Sequence, residues 1–172
     1  MLFLPLPVCA LRVGLIQALG CEMTVFDRFT TESWTIEFPN DWIDSKDDEG
    51  TLYLESPAGD KGLYVSLWHM SESELRGSRE LIETFQETEL RNFLPQGESW
   101  DLISHVSDGD AVAATGCWAG INVGRKYWIC GKQFAAGKYV LRATFHDYDS
   151  SGPAASSDFF SAIAGSLALV AA

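Results

Sequence analysis

The chain has 172 residues, 47% hydrophobic and 12% aromatic, enough apolar surface for one folded domain and too much for a disordered body. Lys and Arg total 12 against 24 for Asp and Glu, a formal net charge of -12. That balance repels nucleic-acid phosphates and anionic lipid headgroups, so no nucleic acid is expected as a ligand. It serves solubility, and it favours a basic or otherwise complementary protein partner.

Residues 1–20 are mostly apolar and precede Cys21. Three readings stay open for this segment. A secretory signal wants a basic start, yet Arg12 is the one basic residue and lies mid-run, after Pro5 and Pro7. A lipoprotein signal fits Ala18-Leu19-Gly20-Cys21 in part and would lipidate Cys21, although Ala18 stands where a large aliphatic residue is usual. In the third reading, translation starts at Met23. Arg12 interrupts any apolar run of about 18 residues, so a spanning helix is not expected. The expected organisation is a signal-like or untranslated extension over 1–22 and a single domain over 23–172. A cytoplasmic location follows from the late start. The alternative is the periplasm or an envelope lipoprotein, with membrane contact expected only if the amino terminus is a lipoprotein signal.

From residue 34 the hydrophobic period is two. Trp34, Ile36 and Phe38 alternate with Thr35 and Glu37, which predicts a half-buried strand. Pro39-Asn40-Asp41 stops it, and Trp42 and Ile43 lead into an acidic loop of Asp44, Asp47, Asp48, Glu49 and Gly50. A second strand over 51–55 puts Leu52 and Leu54 on one face. Turn formers over 56–62 then lead to a third strand, 63–69, apolar on both faces and hence central.

The period next changes to 3.6. Leu75, Leu81, Ile82, Phe85 and Phe93 share a helical face, with Ser71 and Glu74 as a capping box and Gly77-Ser78 as a point of division. Four strands follow as a meander, at 100–106, 111–121, 126–134 and 138–148, joined by Gly- and Asn-containing turns. The glycines at 59, 62, 109, 124 and 137 are all assigned to turns. Ser156 or Ser157 caps a last helix in which Phe159, Phe160, Ile163, Leu167 and Val170 share a face. The fold class expected is α+β, an antiparallel sheet of six to seven strands flanked by two main helices.

No motif in this pattern carries recognisable chemistry. If the turn at 122–125 has two loop residues, Cys117 and Cys130 face each other as a non-hydrogen-bonded pair. They then form a disulfide, touch as thiols, or serve as two small apolar core residues. Two cysteines without further Cys or His nearby make a poor zinc site. His69, His105 and His146 lie in no spaced metal motif, and His146-Asp147-Tyr148-Asp149 ends a strand without a nucleophile to serve. Lys46 spoils a calcium-loop reading of the acidic run. Its carboxylates Asp44, Asp47, Asp48 and Glu49 remain a candidate docking patch for a cationic partner. Trp42 and Trp100 sit at element edges, where core packing competes with a shallow groove. No catalytic residue, metal or cofactor is nominated, and no enzymatic activity is expected.

The order strand, Pro-x-x-Trp, two strands, helix, four-strand meander, terminal helix resembles the fold shared by PsbP and the Ran-binding protein Mog. The best local match is Trp34-Thr35-Ile36-Glu37-Phe38-Pro39-Asn40-Asp41-Trp42, and the closing Phe159, Phe160 and Ile163 fit as well. The acidic, Gly-containing turn that follows Trp42 and the Leu52/Leu54 strand look like small uncharacterised bacterial members of that fold. The resemblance implies a non-enzymatic binding or accessory protein, since members include photosystem subunits, a Ran-binding factor, DcrB-type lipoproteins and EagR-type chaperones of secretion effectors. With the acidity it points to an immunity protein or a secretion-effector chaperone. No Ran-binding or photosystem-specific pattern carries across, and fold alone does not choose among these roles.

Overall fold

The computed structural model describes residues 14–19, 22–46 and 51–170. Among them the chain forms two antiparallel sheets and two helices. The strands are β1 (Gly14–Leu19), β2 (Glu22–Thr30), β3 (Trp34–Pro39), β4 (Ile43–Lys46), β5 (Leu52–Glu55) and β6 (Lys61–His69). After helix α1 (Ser78–Phe93) come β7 (Trp100–Gly109), β8 (Ala113–Asn122), β9 (Tyr127–Ala136) and β10 (Tyr139–Asp147). Helix α2 (Pro153–Ser166) and the two-residue β11 (Ala168–Leu169) close the fold.

The larger sheet has the order β4-β5-β6-β10-β9-β8-β7. Its last four strands in sequence are the expected meander, and β10 returns to pair with β6 from Tyr139↔His69 to Asp147↔Lys61. That pairing makes β6 internal, as its two-sided apolar pattern requires. The expected α+β class, a seven-stranded antiparallel sheet with two flanking helices, is the observed one.

The smaller sheet, β1-β2-β3-β11, is the main feature that the hydrophobic pattern does not announce. Phe26 and Phe29 of β2 are both buried, but their spacing of three breaks the period-two signal. Phe29 stacks on Trp34, with ring centroids 5.4 Å apart. The strand β11 corrects the helical placement of Val170. The chain turns at Leu167 so that Ala168 pairs with Thr35 and Leu169 with Trp34, filling one edge of β3.

Alternation along the strands divides the side chains of the large sheet between two layers. On one face lie α2 and the small sheet. Phe160 packs on Trp128 and Phe145, and Trp42 stacks on Phe145 and Phe159. Trp42 is thus a core residue, 5% exposed. On the other face lies α1, which packs mainly on β7, β8 and β9.

Both helix starts differ in part from expectation. Helix α1 begins at Ser78, at the division expected at Gly77-Ser78, but the Ser71–Glu74 box does not cap it. The backbone around residues 110–111 does so instead: the amides of Ser78 and Arg79 donate to the carbonyls of Ala111 and Asp110, each at 3.0 Å. Leu75 therefore lies outside the helix and is 94% exposed. Helix α2 starts at Pro153, earlier than the serines suggest, because Gly152 adopts φ 149° and Pro153 suits the first helical turn. Ser156 is within the helix and donates to Asp147 Oδ2 at 2.6 Å.

A buried polar cluster fixes α1 on the sheet. Glu89 is 3% exposed and accepts from Trp118 Nε1 at 2.6 Å, from Gln133 Nε2, and from Arg142 Nη1 at 3.3 Å. Arg142 Nη2 donates to Ser66 Oγ at 3.2 Å, and its guanidinium lies 4.6 Å from the Trp68 ring centre. Burial raises the Glu89 carboxyl above its ordinary value, against the Arg142 charge and its donors.

Candidate functional site

Past the end of α1, the same face of the large sheet is paved with aromatic rings. Its register brings Glu55 of β5, Gly62 of β6 and His146 of β10 into one row across three strands. Tyr53 pairs with Tyr64 one step along. Tyr127 enters from β9, and Tyr148 follows the end of β10.

The rings are in mutual contact. Tyr53 stacks on Tyr64 at 4.4 Å between centroids, and Tyr64 meets His146 edge-on at 5.2 Å. Tyr148 stacks on Tyr127 at 5.2 Å and on His146 at 5.7 Å. Trp100 meets Tyr127 edge-on at 5.2 Å, so this edge tryptophan joins the aromatic face and is half-buried. Phe93, in the last turn of α1, meets His146 edge-on at 5.9 Å and marks where helical cover gives way.

Gly62 is the centre of the arrangement and belongs to a strand rather than a turn. A Cβ there would stand 3.1 Å from Tyr53 Cε2, 3.2 Å from Tyr53 Oη and 3.5 Å from Tyr148 Oη. The two hydroxyls therefore approach over bare backbone, a close approach that a side chain would crowd.

The electrostatics of the face are negative to neutral. His146 is buried, and its Nδ1 lies 2.5 Å from Tyr127 Oη. Burial, helped by the nearby Arg142 charge, pushes the imidazole down to about 4, so it is neutral at physiological pH. Burial raises the Tyr53 phenol, with further contributions from Tyr64, Tyr148 and Glu55. Tyr148 rises for the same leading reason, with Tyr64 and Glu55 adding to it. These phenols stay protonated and act as neutral hydrogen-bonding rings.

The residues singled out from sequence fall elsewhere. His146 and Asp147 point to opposite faces of the sheet, Asp147 being taken up by Ser156 and the Asp149 amide, so they do not form a dyad. Asp44 is exposed on the edge strand β4, opposite Leu54. Asp47, Asp48, Glu49 and Cys21 lie outside the described residues.

The β8–β9 connection is longer than two residues. A 3-10 turn at Val123–Arg125 and the left-handed Lys126 put four residues between Asn122 and Tyr127. The register moves by two, so Cys117 faces Lys132 and Cys130 faces Ala119. Both are free thiols on the α2 face: Cys130 is buried, as a core residue should be, and Cys117 is exposed. They line a groove of about 250 Å³ with Ala119, Trp128, Phe160 and Lys132. Lys132 Nζ already donates to Ala164 O at 2.8 Å. Among the described residues no group of three or more His, Cys, Asp or Glu side chains could hold a metal ion.

The tyrosine face was missed in the sequence because Tyr53, Tyr64, Tyr127 and Tyr148 come from four separate segments. Period two signals only that Tyr64 opposes Leu63 and Val65. Nothing local signals that β10 inserts beside β6.

This architecture is the PsbP/Mog-like α+β fold. Cyanobacterial PsbP (CyanoP) from Synechocystis sp. PCC 6803 matches with a TM-score of 0.62 and 14% identity, over 90% of this chain and 98% of that one. The Saccharomyces cerevisiae Ran-binding protein Mog1p matches with a TM-score of 0.51 and 11% identity, over 79% of this chain and 89% of that one. No protein-family model matches the sequence, and no curated protein matches it at a significant level. At these identities the likeness is one of fold.

Proposed function

We propose that this protein is a non-enzymatic binding or accessory domain that engages a basic protein partner through the tyrosine face. The observation that carries this reading is the half-exposed cluster of Tyr53, Tyr64, Tyr127 and Tyr148 beyond the cover of α1, in a chain of net charge -12. Tyrosine and tryptophan supply large contact area at low entropic cost and dominate interface energetics. The acidity steers a cationic partner toward the domain. Mog1p, a Ran-binding protein, is a precedent for protein binding on this fold. Asp44, exposed on the edge strand β4, adds to the negative charge, and Asp47, Asp48 and Glu49 follow it in sequence as a candidate docking patch.

The finer reading is an immunity protein or secretion-effector chaperone, acting in the cytoplasm as a domain over 23–172. Capture from native lysate at low salt, with the double variant Tyr53→Ala/Tyr148→Ala alongside, tests the reading. A high-pI protein retained by the parent chain and lost from the variant supports it. If the two chains retain the same proteins, this face is not the binding surface. The alternative, an envelope lipoprotein, rests on Ala18-Leu19-Gly20-Cys21, and among the described residues no helix is long and apolar enough to cross a membrane. Mass spectrometry of the amino terminus separates the two: a start at Met23 removes the envelope form, and a lipidated Cys21 removes the cytoplasmic one.

A further inference from the structure

We propose that Glu55, with Tyr53, Tyr64 and Tyr148 around the bare backbone of Gly62, receives one arginine side chain of a protein partner. This rests on the reading of the tyrosine face as a protein-binding surface and assigns the chemistry of its centre.

The first reason is an unpaired charge. Most exposed carboxylates among the described residues have no cation, but the buried and half-buried ones that can be compared with Glu55 have partners: Glu37 has Arg28, Asp60 has Lys61, Glu74 has Arg76, Glu89 has Arg142, and Asp147 accepts from Ser156. Glu55 is half-buried at the edge of the tyrosine cluster, and no described residue forms an ion pair with it. The nearest basic side chain in sequence, Lys61, is spent on Asp60. A partly desolvated carboxylate without a counter-charge attracts a cation strongly, because water screens it less than a fully exposed one.

The second reason is shape. Gly62 carries no side chain directly opposite Glu55, so Tyr53 and Tyr148 close over its backbone beside the carboxylate and present their rings there. Tyr148 is 40% exposed, so its ring is open to a ligand. Aromatic faces carry negative potential and attract a cation lying over them. The other titratable group in the row, His146, is neutral and turned to Tyr127, so it does not repel one.

Arginine fits this combination better than lysine. Its planar guanidinium stacks on a ring while two of its N–H groups pair with the two carboxylate oxygens, whereas an ammonium is a compact point charge. The phenol hydroxyls remain as acceptors for the outward N–H groups.

The test is an amide-resolved NMR titration of the full chain with Nα-acetyl-arginine amide, its lysine counterpart and its neutral citrulline counterpart. Saturable shifts centred on Gly62, Tyr64 and Tyr148 are expected with arginine, weaker binding with lysine and none with citrulline. Glu55→Gln, which keeps the shape and removes the charge, should weaken arginine binding by about tenfold or more while leaving distant resonances in place. Tyr148→Ala should weaken it through the lost ring. Equal titration by citrulline or lysine, or unchanged binding by Glu55→Gln, overturns the assignment. A captured partner that binds Glu55→Gln as tightly as the parent chain, yet is lost from Tyr53→Ala/Tyr148→Ala, leaves the protein-binding face standing and removes the arginine receptor.

Discussion

His146 shows how far one side chain's surroundings can move it from its sequence neighbourhood. Beside Asp147 and Tyr148 in sequence it looks like part of a polar strand end. In the fold it is a buried neutral ring held by Tyr127, with a folded-state pKa of about 4 against 6.5 unfolded. The unfolded chain therefore binds the proton first as pH falls. Stability from this group is complete above about 6.5 and declines toward pH 4, by on the order of 3 kcal/mol over the whole window. Glu89 works in the opposite direction, since its raised carboxyl takes up a proton more readily in the folded state. Comparing His146→Phe with the parent chain isolates the histidine. Urea denaturation across this pH range should show a steeper acid loss for the parent, and parallel profiles would mean that His146 titrates normally. The sequence made His146 visible as a polar residue but not its state, because its burial and its Tyr127 partner come from elements distant along the chain.

At the scale of the element, α1 is readable as an amphipathic helix from Leu81, Ile82 and Phe85, while its anchoring is not. Glu89 looks like one more solvated glutamate among Glu83 and Glu87, yet it is the acceptor for three donors from β8, β9 and β10. Removing it strands Arg142 and leaves two buried N–H groups unpaired. Glu89→Ala should therefore cost about 3–5 kcal/mol of unfolding free energy, and Glu89→Gln distinctly less because an acceptor oxygen remains. Chemical denaturation of the two variants checks this. A cost for Glu89→Ala below about 1 kcal/mol, the range of a surface pair, would show that water reaches the cluster. The β8–β9 connection gives a similar lesson about register. Asn122 and Gly124 announce a turn, but its length depends on Lys126 taking a left-handed conformation, and two extra loop residues are enough to part Cys117 from Cys130 as direct partners.

For the molecule as a whole, like charge is the dominant long-range term. The exposed ion pairs Arg79–Glu83, Arg125–Glu98 and Lys126–Asp149 contribute little, whereas the excess negative charge repels itself everywhere. Salt shortens the screening length from about 10 Å at 0.1 M to about 3 Å at 1 M, so it should relieve the repulsion while leaving the buried Glu89–Arg142 pair intact. Raising sodium chloride from low concentration at neutral pH is thus expected to raise the melting temperature by a few degrees. A fall would mean that the exposed pairs outweigh the net charge.

The local pattern alone determined β3, β5, β6 and the four-strand meander, the helix around Leu81, the closing helix around Phe160 and the acidic surface. Each follows from a period, a turn residue or a charge count that neighbours in sequence establish between themselves. It did not determine β4, expected as loop, or β11, expected as helix. Tertiary structure alone decided the second sheet under Phe26 and Phe29, the burial of Glu89 and the meeting of Tyr53, Tyr64 and Tyr148 over Gly62. The last depends on pairings between strands distant in the chain, above all β6 with β10. Such pairings are selected by the total apolar surface buried when the layers close, a sum over the whole molecule that no short window of residues contains.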